Sequence, residues 1–245
     1  MATSTVSKSS ELLVAEGGDP PEPDDGAYSA ADKVAETIIR GIRSGMFVPG
    51  QHLLEPDLTR RFGISRGSLR EALKHLAADG IVTLSRFRGA YIAVLDRKSI
   101  FDLLETLEPL ARLAARLAAE HCDTADRRQR MTAAAAAVED ASRGRNRADY
   151  LEQRRHFYST LVDIGGNREL ERAMPLSRTD VFRAQVETVQ SERQRKRHAS
   201  GYSRIAKAVL DRNPAAADRA VRNHFAGTIR TMTELPADAF PTLDG

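Results

Sequence analysis

The stretch Phe62–Gly80, "FGISRGSLREALKHLAADG", decides the fold. Leu69, Leu73, Leu76 and Ala77 recur at three- and four-residue steps and so share one apolar helix face. Arg66 and Arg70 stand one turn apart, off that face. Ser65 is a natural N-cap for a helix over 66–79, and Gly80 stops it. Just upstream, Pro56 suits the first position of a short helix through Phe62, where its missing N–H costs nothing. The intervening "GIS" is a tight turn. Two short helices joined by a glycine-containing three-residue turn make a helix–turn–helix.

Working outward, Val34, Ile38 and Ile42 recur every fourth residue, predicting a helix that Ser44-Gly45 ends. "MFVPGQHLLE" (46–55) reads as a Pro-Gly-punctuated connection. Beyond Gly80, "IVTL" and "AYIAV" flank the basic tip "SRFRG" (85–89), two β-prone runs that predict a hairpin. From Lys98 onward the spacing is helical, with helices expected over 98–120, 125–143, 147–164, 168–189, 192–212 and 215–234. Asn213-Pro214 supplies the last N-cap and first-position proline. The fold class is therefore mainly α: a winged helix–turn–helix over 29–96, then an all-α antiparallel bundle over 97–235. Residues 1–28 form an acidic tail expected to be disordered, with one lysine against six acids. Residues 236–245 are expected to be a flexible C-terminal tail.

Composition narrows the class. The 245 residues are 41% hydrophobic and 29% charged, enough for two modest cores. No apolar run approaches the roughly 20 residues of a membrane helix, and the N-terminus has no secretory pattern. One cysteine, Cys122, allows no internal disulfide and fits a reducing cytoplasm. The net charge of +3 is too small to imply nucleic acid by itself. Nothing pairs a nucleophile with a base or cradles a phosphate, so no catalytic residue and no enzyme activity is expected. The basic run "SERQRKRH" (191–198) reads as a solvated helix start.

The geometry of a helix–turn–helix puts the first turn of its second helix in the major groove of double-stranded DNA. Arginine suits that place because its planar fork bonds guanine O6 and N7 together, worth about 1–3 kcal/mol of base discrimination. Arg66 and Arg70 would read bases, with Ser65 at the cap. Gly67 and Ser68 are small enough to let the backbone approach, and Lys74 would meet phosphate. Arg86, Arg88 and Gly89 would sit at the backbone or minor groove as a wing.

The residues from "IRSGMFVPG" (42–50) through "RGAYIAV" (88–94) resemble the winged helix of the GntR superfamily of bacterial transcription regulators. Pro49-Gly50, "GISR", "LREAL", "DG" and the wing glycine fall in order. In that family the residues matching Arg66, Ser68 and Arg70 contact bases or phosphates. Some members of its FadR-like branch carry a recognition arginine at the start of the helix where this chain has Pro56, which implies an altered contact set. "DLLE" (102–105), "AARLAAE" (114–120), "GGN" (165–167) and "NPAAADRAVRNHF" (213–225) resemble the branch's FCD ligand-binding domain of VanR type. The resemblance implies a homodimer on a palindromic operator, released from it by a small effector. A repressor is the default, with an activator or an effector-independent protein whose bundle only dimerises as alternatives.

Many FCD domains hold a divalent metal through an aspartate, a histidine four residues later and two further histidines. The matching positions here are Arg154, Tyr158, Tyr202 and His224. An arginine cannot coordinate a metal, so the resemblance implies no metal cofactor. Those four residues instead suggest a pocket for an organic acid: Arg154 to pair a carboxylate, Tyr158 and Tyr202 as walls, His224 as a tunable donor. A rival set, Glu152, His156, His198 and His224, would rebuild a site for a metal such as zinc. It requires two helices to shift register, since residues 156 and 158 point roughly 200° apart at about 100° per residue. A polar core without a ligand is the other alternative for these residues.

Overall fold

A computed structural model describes residues 29–240, apart from residues 145 and 188 and the side chain of Arg147. The expected acidic tail, 1–28, lies outside the described residues. The N-terminal unit runs α1 (Ala30–Arg43), β1 (His52–Leu53), α2 (Glu55–Phe62), α3 (Arg66–Ala78), β2 (Val82–Ser85) and β3 (Gly89–Ile92). Ser29 and Asp32 form a capping box at the start of α1, which buries Val34, Ile38 and Ile42. Gly63 takes a left-handed backbone (φ 64°) that closes α2, and the Ser65 side chain accepts the Ser68 N–H at 3.0 Å to open α3. Pro56 occupies the second position of α2, behind Glu55, where its missing N–H is equally harmless.

The hairpin forms as expected, with Ser85 opposite Gly89. The connection 46–55 holds a strand as well: His52 pairs with Tyr91 and Leu53 with Ala90, giving a three-stranded sheet in the order β1-β3-β2. Two residues carry no periodicity, and their ladder comes from β3, so this strand is a tertiary product.

The bundle comprises α4 (Arg97–His121), α5 (Ala125–Arg143), α6 (Arg147–Gly165), α7 (Arg168–Ala173), α8 (Leu176–Glu187), α9 (Glu192–Leu210) and α10 (Pro214–Glu234). α4 packs on α10 and α6, α5 on α6 and α9, and α9 on α10. Here one expectation is corrected, because the helix predicted over 168–189 is two. Pro175 has no N–H to donate and forces its predecessor out of the helical region, and Met174 is indeed extended (φ −76°, ψ 116°). The expected C-terminal tail is also corrected for its first residues. Ala237–Ala239 form a 3₁₀ turn, Gln185 donates to the Ala239 carbonyl, and Phe240 is buried under the Arg97 guanidinium at 4.5 Å.

The two units touch through α8. It packs on α1, and its Gln185 bonds both the N–H (3.0 Å) and the carbonyl (2.8 Å) of Leu95, just past the wing.

Candidate nucleic-acid interface and buried basic cluster

Capping and packing aim the recognition helix outward. Leu69, Ala72, Leu73 and Leu76 of α3 are buried, which leaves Arg66, Gly67, Arg70 and Lys74 exposed on the opposite side, with Ser65 at the cap and Ser68 half-buried. Arg66 and Lys74 make no ion pair among the described residues. Arg70 differs: its Nε donates to Glu55 at 3.1 Å, across the turn from α2. An exposed pair of this kind is worth at most about 1 kcal/mol, so it orients Arg70 without locking it away from a base.

At the wing, Arg86, Arg88 and Gly89 are all exposed. Gly89 has φ +85°, and a Cβ there would lie 2.9 Å from His52 Nε2. Only glycine fits the turn. His52 in turn stacks on Tyr91 at 4.6 Å, so the strand missed by sequence reasoning buttresses the wing.

Inside the bundle, Arg154, Tyr158, Tyr202 and His224 converge. Arg154 and Tyr158 come from α6, Tyr202 from α9 and His224 from α10, and all are buried. The Arg154 guanidinium lies 5.6 Å from the Tyr158 ring centre; Tyr202 sits 5.9 Å from Tyr158 and 4.6 Å from His224. Gly201 makes the last approach feasible, since a Cβ there would fall 2.0 Å from His224 Nδ1. The Tyr202 hydroxyl, close to Arg154 and Tyr158, makes no well-formed hydrogen bond, and Arg154 Nε is likewise orphaned.

Sequence reasoning missed three members of this cluster: Tyr150, Asp180 and Arg183. Asp180, fully buried on α8, accepts from Arg154 (3.2 Å) and Arg155 (3.0 Å), and Arg43 of α1 stands 3.5 Å away. Burial pushes its carboxyl up, while Arg154, Arg155 and Arg43 pull it back. Arg183, one turn along α8, is 5% exposed and has no carboxylate in ion-pair range among the described residues. Burial and the like charge of Arg154 depress its guanidinium. Arg183 donates to His198 Nε2 at 2.8 Å, so that nitrogen is an acceptor and the ring is neutral. The Nδ1–H of His198 then serves the Tyr150 hydroxyl at 2.6 Å. Burial, with Arg183 and His224 beside it, drives His198 well below the ordinary histidine value, and burial with Arg183 takes His224 down to about 3.

The rival metal set does not converge. Glu152 and His156 lie on the exposed side of α6, and Glu152 is engaged by Arg43 Nε at 2.7 Å. His198 and His224 are buried together, their ring centres 4.5 Å apart. Among the described residues no three His, Cys, Asp or Glu side chains are grouped to hold a metal ion. An arginine at the carboxylate position is the wrong donor for one.

A cavity of about 390 Å³ between α9 and α10 is lined in part by His198 and His224. Arg197, Arg204 and Arg230 line its rim. No helix among the described residues is long and apolar enough to cross a membrane.

Known proteins agree with this architecture. Residues 30–92 match the "Bacterial regulatory proteins, gntR family" and residues 99–227 the "FCD domain". The chain is 24% identical over 188 residues to the "Uncharacterized HTH-type transcriptional regulator YdhC" of Bacillus subtilis, covering 75% of this chain and 82% of that one. To the "Glc operon transcriptional activator" of Escherichia coli K12 it is 28% identical over 217 residues, covering 78% and 84%. The solved structure "E. coli McbR/YncC" superposes with a TM-score of 0.74 at 14% identity, over 84% of this chain and 98% of that one, a likeness of fold alone. With its gntR helix–turn–helix followed by an FCD domain over half its length, the chain belongs to the GntR family of bacterial transcription regulators.

Proposed function

We propose that this regulator binds a palindromic operator as a homodimer, represses from it, and is released by a small organic acid bound in the buried cluster of the helical domain. One observation carries the reading: Arg154 and Arg183 are both buried, yet Arg154 shares its one carboxylate, Asp180, with Arg43 and Arg155, and Arg183 has none in ion-pair range among the described residues. A surplus of buried positive charge is costly unless an anion answers it. A carboxylate between the two guanidiniums would take their free donors, with the Tyr202 hydroxyl completing the site. The basic rim at Arg197, Arg204 and Arg230 draws anions toward this part of the bundle, and rotation of His224 would join cavity and cluster.

Release follows from the same geometry. An acid that engages Arg154 competes with Asp180, whose other holds are on Arg155 and on Arg43 at the end of α1. The coupling is bounded by the acid's affinity difference between the two arrangements, commonly about 1–3 kcal/mol. Its sign is read directly in a reporter assay; the Glc operon relative is named an activator.

The test is calorimetry with a panel of mono- and dicarboxylic acids, aromatic ones included, against the wild type, Arg154→Met and Arg183→Met. At least one acid should bind the wild type, lose tenfold or more in affinity on either substitution, and weaken DNA binding. Acids that bind both variants as well as the wild type would refute the site. One observation favours a second reading, in which the bundle only dimerises: the rings of Phe157, Tyr158 and Tyr202 pack edge to face at 4.9–6.0 Å and fill the space beside Arg154. That reading predicts no acid binding and a footprint indifferent to the panel.

A further inference from the structure

We propose that Phe87, at the tip of the wing, is an apolar wedge that enters the DNA minor groove and partly opens a base step beside the half-site. The inference rests on the DNA-binding reading above and extends it to a contact that neither the recognition helix nor the wing glycine supplies.

Phe87 is 92% exposed, whereas the next barest large hydrophobic side chain among the described residues, Val48, is 52% exposed. Nothing in the described chain covers its ring. The tip is nonetheless firmly built. Three residues, 86–88, join Ser85 to Gly89 across the hairpin. Gly89 backs onto His52, and His52 stacks on Tyr91. At the other end, the Ile81 N–H bonds the Leu76 carbonyl of α3 at 2.8 Å, and the Ala93 N–H bonds the Ile81 carbonyl at 2.9 Å. The wing is thereby tied to the recognition helix, so α3 in the major groove carries Phe87 to the neighbouring minor groove.

The flanking residues choose the partner. Arg86 and Arg88 are exposed and make no ion pair or hydrogen bond among the described residues. A bare ring between two unpaired guanidiniums fits a surface that is apolar at its floor and anionic on both walls. The minor groove is such a surface, with base edges and stacked faces between two phosphate rows. Insertion of an apolar side chain between base steps unstacks them, at a cost that is least for flexible pyrimidine–purine steps. The wedge therefore predicts a preference, at base pairs that no polar side chain reads, for TA or CA/TG under the wing.

The experiment uses the full-length protein and a duplex selected from random sequence by the wild type. 2-Aminopurine placed at the steps facing the wing reports unstacking. Affinity, its salt dependence and the sedimentation mass are measured alongside for the wild type, Phe87→Ala and Phe87→Leu. The wild type should enrich flexible steps under the wing and raise the fluorescence there. Phe87→Ala should lose both effects and bind about tenfold more weakly, with an unchanged salt slope because the phosphate contacts remain. Phe87→Leu should keep most of the effect. Phe87→Ala matching the wild type in fluorescence and step preference would overturn the wedge while leaving DNA recognition intact. A changed sedimentation mass for Phe87→Ala would make the ring a contact between protein chains and overturn it too. Failure of the wild type to enrich any sequence would instead overturn the DNA reading on which the wedge depends.

Discussion

Replacing Asp180 with asparagine and, separately, Arg183 with methionine should have opposite weights, and the structure sets both. Asp180 faces nitrogens of Arg155, Arg154 and Arg43 at 3.0, 3.2 and 3.5 Å with its side chain 1% exposed. At an effective dielectric of 20, each unit-charge attraction near 4 Å is roughly 4 kcal/mol. Most of that gross term offsets the cost of desolvating the ions, and removing one partner of such a buried arrangement leaves a net loss of about 3–5 kcal/mol. Asp180→Asn should also leave the guanidiniums repelling one another unopposed. Arg183 has no carboxylate to lose, and methionine fills much of its volume. Its removal forfeits the hydrogen bond to His198, about 1 kcal/mol, but relieves repulsion with Arg154. Arg183→Met should therefore lie within about 1 kcal/mol of the wild type. Urea unfolding followed by far-ultraviolet circular dichroism at pH 7.5 measures both. Equal losses for Arg183→Met and Asp180→Asn would mean that the cluster holds no surplus of positive charge.

The buried histidines give a pH dependence. His224 stays neutral in the fold down to about pH 3 and His198 is depressed in the same direction, whereas both protonate near 6.5 when unfolded. For His224, stability is thus complete above about pH 6.5 and falls toward pH 3 by roughly 1.4 kcal/mol per unit, and His198 adds to the loss in the same direction; urea midpoints at pH 7.5 and 5.0 should differ accordingly, and His224→Gln should flatten the slope. On DNA, Arg66→Ala and Arg70→Ala should relax base preference, and Glu55→Ala should shift preference at the position Arg70 reads, because Glu55 orients it. Lys74→Ala should weaken all sequences alike and lower the salt slope by about one, as operator-to-random affinity ratios will show. Gln185→Ala cuts the bonds to Leu95 and Ala239. It should leave acid affinity within about twofold, about 0.4 kcal/mol, but blunt release from DNA. Cys122 is buried, and burial pushes its thiol up. Iodoacetamide should label it slowly in the native protein and readily in urea.

The winged helix was legible because its signals are local. Ser65, Gly63 and the Leu69–Leu73–Leu76 face each act within a few residues of the backbone they shape. β1 was not legible, since His52 and Leu53 become a strand only when β3 arrives beside them. The break in the helix predicted over 168–189 had a visible cause in Pro175, which apolar spacing on either side obscured. That error had a consequence for the site. In a sequence read as one helix over 168–189, nothing marks Asp180 and Arg183 as buried. Arg154, Tyr158, Tyr202 and His224 were found because motif positions fix their register. Their partners on α8 occupy no motif, and burial of a charge leaves no trace in spacing or composition.

α8 is also where the two halves of the molecule meet, and under the proposed release it is the element through which an event in the bundle would reach DNA. Within its 12 residues it presents Asp180 to Arg43 at the end of α1, and Gln185 to Leu95 beyond the wing. Arg178 lies against Gly80, with its Nε 3.1 Å from where a Cβ would stand, just after the recognition helix. These three contacts touch the winged helix at the exit of α1, the exit of α3 and the exit of β3. The same helix carries Arg183 into the buried cluster. A helix of this length spans about 18 Å. An acid bound at Arg154 and Arg183, as proposed, would therefore change the balance on an element that holds the DNA-binding unit at three points. The extended segment at Met174–Pro175 separates that helix from α7 at one end. The break at Pro175, overlooked in the sequence, is what makes α8 an element separate from α7.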